Sequence, residues 1–182
     1  MFGSFFNQGQ VCVASTRILV HESIYKPFLS ALMEAVAGIK IGNPLREETE
    51  MGPVISTEHL NKIQDFIKLG QEEGANLLTG GTLIDCEGGN YIKPAVLVDV
   101  EQHMKVVQEE IFGPVITVQS FSSEEEAIVL ANGTRFGLAA GILTNDLMKA
   151  ERVAEHLQAG TIWINGYHTP HIETAWGGFK ES

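Results

Sequence analysis

The sequence predicts an α/β fold in which a mostly parallel sheet is flanked by helices. Three observations carry that prediction. Stretches with apolar residues at helical spacing alternate along the chain with short apolar runs. Those runs are rich in β-branched residues, as strands are. Gly, Asn or Pro punctuate most of the changeovers,. Helices alternating with apolar strands are the pattern of βαβ units.

Taken in order, RILV after Thr16 reads as a strand. Ser23 to Lys40 reads as a helix with Ser23 as N-cap, a stripe of Ile24, Phe28, Leu32, Val36 and Ile39, and a stop at Gly42-Asn43-Pro44,. Ser56 to Glu73 is a second helix, capped in Ser56-Thr57-Glu58-His59, striped by Leu60, Ile63, Phe66, Ile67 and Leu69, and ended by Gly74,. LLT follows as a strand. The region 80–94 reads as a polar, Gly-rich loop that contains Cys86. AVLVDV and VITVQSF are short strands. Ser122 to Asn132 is a helix with Glu124, Glu125 and Glu126 in its first turn, where the dipole favours acids,. AAGILT is expected to be a buried strand, Asp146 to Gln158 a helix ended by Gly160, and TIWIN a last strand.

The bulk numbers narrow the function classes. At 182 residues, 44% hydrophobic and 19% charged, the chain suits one globular domain with a real core. A net charge of -11 argues against nucleic acid and against anionic membrane surfaces, both of which need basic patches. No stretch approaches the ~20 apolar residues of a membrane span, and MFGSFFNQG has no secretory pattern,. A cytoplasmic, reduced setting is the default, so both cysteines, Cys12 and Cys86, are expected as free thiols. The histidines (His21, His59, His103, His156, His168, His171) show no zinc-type spacing with them, so no metal is expected,.

Cys12 lies in FFNQGQVCVASTR, between Gln-Gly-Gln and the first strand. A lone cysteine is usually a small buried hydrophobe. Here Gly9 permits unusual backbone, Asn7 and Gln10 are polar, and Ala14 and Ser15 are small,. A thiol on such a turn can reach a substrate, with backbone N–H groups beside it for an oxyanion. Three other stretches carry double readings. EEIFGPV, from Glu109, is either a loop with Phe112 as a core plug, or an acid for hydroxyls beside an aromatic for a flat ring. Asn165 ends a strand, where α/β folds place their chemistry, but a lone Asn there is more often a turn former. AWGGFK is either a Gly-Gly turn with Trp176 half buried, or a site wall.

Together and in this order, FFNQGQVC, MGPVIS, NYIKPAVLVDV, EEIFGPV, FGLAAGILTND, AGTIWIN and WGGFKES make the chain resemble the NAD(P)-dependent aldehyde dehydrogenase superfamily over essentially its whole length. The resemblance implies the catalytic domain of that fold over 1–182. It implies Cys12 as the nucleophile, which forms a thiohemiacetal and then a thioester with the aldehyde, its own backbone N–H helping to hold the oxyanion. It further implies Glu110 on the nicotinamide-ribose hydroxyls, Phe112 beside the nicotinamide, Asn165 as a site-ordering residue, and 166–176 as lining of the substrate entrance. NAD or NADP is the implied cofactor and a small aldehyde the substrate. WINGYH and AWGGFK lean towards betaine aldehyde, with Trp176 offering a cation–π face to a quaternary ammonium. The family's NAD-binding domain, general-base Glu and C-terminal oligomerising strand have no counterpart in these residues, so the chain by itself is expected to be nearly inactive. The alternative is a catalytically inactive truncated domain serving only as a folded fragment or assembly partner. Apolar FGSFF and AAGILT favour a homo-oligomer.

Overall fold

The computed structural model describes every residue except Glu87, Pro170 and His171. It divides the chain into two compact units, Met1–Ser120 and Phe121–Ser182.

The first unit opens with a short helix α1 (Phe2–Phe5) and a 3₁₀ turn (Phe6–Gly9). Then come β1 (Arg17–His21), α2 (Glu22–Ala37), α3 (Thr57–Glu72), β2 (Asn76–Thr79), β3 (Leu83–Ile84), β4 (Tyr91–Ile92), β5 (Ala95–Val98), α4 (Lys105–Gln108) and β6 (Val115–Phe121). Its main sheet runs β1-β6-β5-β2. β5 and β6 are parallel, in register from Ala95↔Val115 to Leu97↔Thr117, and β2 adds antiparallel to β5. The pleat sends alternate residues of β5 to opposite faces. Ala95 and Leu97 join Leu60, Ile63 and Ile67 of α3. Val96 and Val98 join Leu32 and Val36 of α2. The sheet is thus covered on both sides, which is why β5 is buried at every position and reads as an unbroken apolar run. Each such Val, Leu or Ile contributes about 1.5–3 kcal/mol by leaving water.

The α3 cap is as the sequence predicts: Ser56 Oγ accepts from the His59 backbone N–H at 3.1 Å. α2 differs. β1 passes straight into the helix, so His21 is the N-cap and its Nδ1 accepts from the Ser23 N–H at 3.2 Å. Ser23 is inside the helix, and Ile24 is 54% exposed rather than part of the stripe. The region 80–94 is not a plain loop. It holds the β3–β4 hairpin, with Tyr91 and Ile92 buried. Two-residue strands are too short to show a period, so the polar composition hid them. Cys86 sits in the connection, where Glu87 lies outside the described residues.

The second unit contains α5 (Glu124–Asn132), β7 (Phe136–Gly137), β8 (Ala139–Ile142), α6 (Leu147–His156), β9 (Thr161–Ile164) and β10 (Phe179–Lys180). β8 and β9 pair in parallel, Ala139↔Thr161 to Ile142↔Ile164, and β7 pairs antiparallel with β10. Ser123 caps α5 and Asp146 caps α6. Arg152 on α6 donates to both Glu124 oxygens, at 2.6 and 2.8 Å. AAGILT departs from expectation: Ala139, Ala140 and Ile142 are half-buried, Gly141 is exposed, and Leu143 is 81% exposed. Among the described residues β8 pairs with β9 alone, and α5 has no fully buried residue, so the strand is not enclosed.

Candidate active site

The turn that carries Cys12 is built from backbone that few residues adopt. Asn7, Gln8 and Gly9 are consecutive left-handed residues, with φ of 50°, 58° and 69°. Asn7 is tied to Gln10 twice: its O accepts from the Gln10 N–H at 3.0 Å, and its Nδ2 donates to Gln10 O at 3.1 Å. The Gln10 side chain is held in turn, because its Oε1 accepts from the Ile55 N–H at 3.0 Å. Val11 O then accepts from the Ala14 N–H at 2.9 Å. Val13 is buried and anchors the turn in the core. Cys12, one residue before it, is exposed and unbridged. That exposure does not fit the reading of Cys12 as a small buried hydrophobe, and the thiol is free, as expected.

The same turn meets the EEIFGPV segment. A Cβ on Gly9 would collide with the Gly113 carbonyl oxygen and lie 2.7 Å from its carbon. Glycine is therefore required at position 9 both by φ and by space. Within the segment, Ile111 is the core plug, 4% exposed and packed in the α3-side cluster. Phe112 is not: it is 36% exposed with a φ of 59°. Glu110 is exposed beside it. The reading of Phe112 as a core plug is overturned: Ile111, one residue earlier, takes that place instead. An exposed carboxylate next to an exposed aromatic ring, on the loop that touches the Cys12 turn, suits a ligand with hydroxyls and a flat ring. A cation follows Cys12 in sequence: Arg17 is half-buried, desolvation pushes its guanidinium down to about 10, and its Nη2 donates to Gln102 Oε1 at 3.3 Å.

In the second unit, Asn165 follows β9 with a φ of 53°. Its N–H donates to Ile142 O at 2.8 Å, and its Oδ1 accepts from the Thr144 N–H at 2.9 Å. It joins the carboxyl ends of β8 and β9, as both a turn former and an orderer of that edge. Trp176, 58% exposed, belongs to an aromatic group. Its ring lies 6.5 Å from Trp163. Trp163 is 4.8 Å from Tyr167, and Tyr167 stacks on His168 at 5.8 Å. Trp163 Nε1 donates to Thr169 O at 2.9 Å. Of the expected lining 166–176, Pro170 and His171 lie outside the described residues. Among the described residues no group of three or more His, Cys, Asp or Glu is placed to hold a metal.

Sequence reasoning missed His59. Its Nε2 lies 2.6 Å from Phe112 O, across 53 residues of chain. No local pattern signals a contact of that separation.

Residues 1–182 match the aldehyde dehydrogenase family throughout. The chain belongs to the aldehyde dehydrogenase family. Among curated aldehyde dehydrogenases, the betaine aldehyde dehydrogenase of Bacillus subtilis (strain 168) is 45% identical over 181 residues, covering 98% of this chain and 37% of that protein. An aldehyde dehydrogenase of Vibrio cholerae serotype O1 is 48% identical over 183 residues, covering 98% and 36%. A crystal structure of the Staphylococcus aureus betaine aldehyde dehydrogenase in complex with NAD+ superposes with a TM-score of 0.96 at 46% identity, covering 98% of this chain and 36% of that one. The chain spans little more than a third of the length of these relatives. The α/β class, with parallel pairing at β5–β6 and β8–β9, is the fold expected of this family.

Proposed function

We propose that this chain supplies the nucleophile, and part of the cofactor and substrate walls, of an NAD(P)-dependent aldehyde dehydrogenase acting on betaine aldehyde. On this reading 1–182 is the family's catalytic domain. The observation that carries it is the exposed Cys12 on a turn locked against the Glu110–Phe112 loop. The Cys12 thiolate attacks the aldehyde carbonyl and forms a thiohemiacetal. The Cys12 N–H donates to the oxyanion. NAD(P), when bound, accepts the hydride of this oxidation. The residue left on Cys12 is a thioester, and attack by water releases the carboxylic acid and returns the thiol. Glu110 accepts from ribose hydroxyls, Phe112 packs on the nicotinamide ring, and Asn165 orders the strand ends. The relatives named betaine aldehyde dehydrogenase support the substrate, as does the exposed Trp176 face, since cation–π contact favours a quaternary ammonium. Two unbridged cysteines support a cytoplasmic setting.

Two experiments test these parts separately. An activated ester should acylate Cys12, read as an added acyl mass on its peptide; acylation of Cys86 in preference removes the nucleophile assignment. The chain has two tryptophans, Trp163 and Trp176, so its tryptophan emission reports on this aromatic group alone. Choline should quench it, W176A should lose the response, and a neutral isostere with a tert-butyl group should give little. Equal quenching by the isostere removes the betaine reading.

A further inference from the structure

We infer that His59 is a positioning residue, which holds Phe112 in its left-handed conformation and so sets the ring that faces the cofactor; the last clause rests on the reading of Phe112 given above. A φ of 59° is rare for a bulky aromatic residue and persists only where surroundings impose it. α3 imposes it from two successive turns. In the first, the Ser56 cap fixes the His59 backbone at 3.1 Å, and the ring reaches out to the Phe112 carbonyl at 2.6 Å. In the next, Ile63 closes on Gly113: a Cβ there would lie 2.6 Å from Ile63 Cγ1. His59 and Ile63 are four apart and share a helix face, so the Phe112–Gly113 peptide is gripped at its oxygen and at its following α-carbon. The two rings meet edge to face, with centroids 6.4 Å apart and planes at 66°, which fixes the phenyl as well as the backbone. Because a carbonyl only accepts, Nε2 must carry the proton.

Nuclear magnetic resonance on the 182-residue chain tests this without activity. The His59 ring should show a proton on Nε2. H59A should move the Phe112 ring and Gly113 amide signals, and H59Q, which keeps an N–H donor of similar reach, should return them towards wild type. A bare Nε2, unmoved Phe112 signals in H59A, or H59Q no closer to wild type than H59A would each overturn the inference. If H59A does not fold, H59Q is read alone: Phe112 ring and Gly113 amide signals close to wild type are expected, and displaced ones overturn the inference. Nicotinamide mononucleotide, which carries only the ring and ribose assigned to Phe112 and Glu110, separates the cofactor reading. Wild-type Phe112 signals should respond at high concentration, and H59A should need about fivefold more of it, the equivalent of one net hydrogen bond. Phe112 signals that ignore it but obey H59A and H59Q remove the cofactor assignment and keep the positioning one.

Discussion

At the scale of single residues, the Cys12 turn divides its work. Val13 is buried and Cys12 exposed, while Cys86 is half-buried in the β3–β4 connection. Limited iodoacetamide followed by peptide mass mapping should label Cys12 well ahead of Cys86; the reverse order contradicts the assignment of the nucleophile. Gly9 is the neighbour on which the display depends. G9A should destabilise the fold by at least the ~1–3 kcal/mol of strain that a left-handed non-glycine costs, since its Cβ also collides with Gly113. Urea unfolding measures this. An unchanged midpoint would mean that the two segments do not meet as described. The sequence suggested a special backbone at Gly9. It did not show that the partner is Gly113, because nothing local encodes a contact across that distance.

At the scale of elements, caps and ion pairs decide where helices start and how they are joined. S56A removes the oxygen that receives the His59 N–H and should cost about 1 kcal/mol, the usual worth of an N-cap. S23A in α2 should cost much less, because His21 occupies the cap position. Comparing the two by thermal unfolding tests the cap assignments. In the second unit the Arg152 hydrogen bonds hold the Glu124 carboxyl below the usual carboxylate range. A carboxyl with a lowered folded-state pKa binds its proton more readily once unfolded. It therefore stabilises above the ordinary carboxylate pKa, and that contribution is lost as pH falls through the folded value. The α5–α6 pair should loosen in acid, and E124Q should flatten that part of the pH profile. An identical profile in E124Q would show that the pair is too solvated to matter. Long amphipathic elements such as α3 were legible within a residue or two, because sixteen residues repeat the helical stripe several times. The two-residue strands β3, β4, β7 and β10 were not, because they carry no period.

For the whole molecule, the chain belongs to its family over all of residues 1–182 and spans 36–37% of the length of two relatives. NADH production by these 182 residues alone, at high betaine aldehyde and NAD+, is expected to be close to background; robust turnover refutes the view that further chain is needed. Phe2 and Phe6 in the first unit are 61% and 50% exposed, and Leu143 and Ile164 in the second are 81% and 40% exposed. Exposed apolar groups of this kind seek partners. The net charge of -11 opposes self-association weakly, since screening acts over about 8 Å at physiological salt. Light scattering across a concentration series should show a dimer or larger species of this chain, and a monomer at every concentration rejects that.

The sequence by itself determined the α/β class, the order of the long helices and central strands, and the stretches that carry the family resemblance. Those features are local: period, cap and turn chemistry are written within a few residues. Tertiary structure alone decided that Ile111 rather than Phe112 enters the core, that Gly9 lies against Gly113, that Tyr91 and Ile92 form the buried strand of a hairpin, and that His59 grips the Phe112 carbonyl. Each depends on which segments meet after the sheet has formed. Burial and close approach are properties of that meeting, which residue spacing along the chain does not carry.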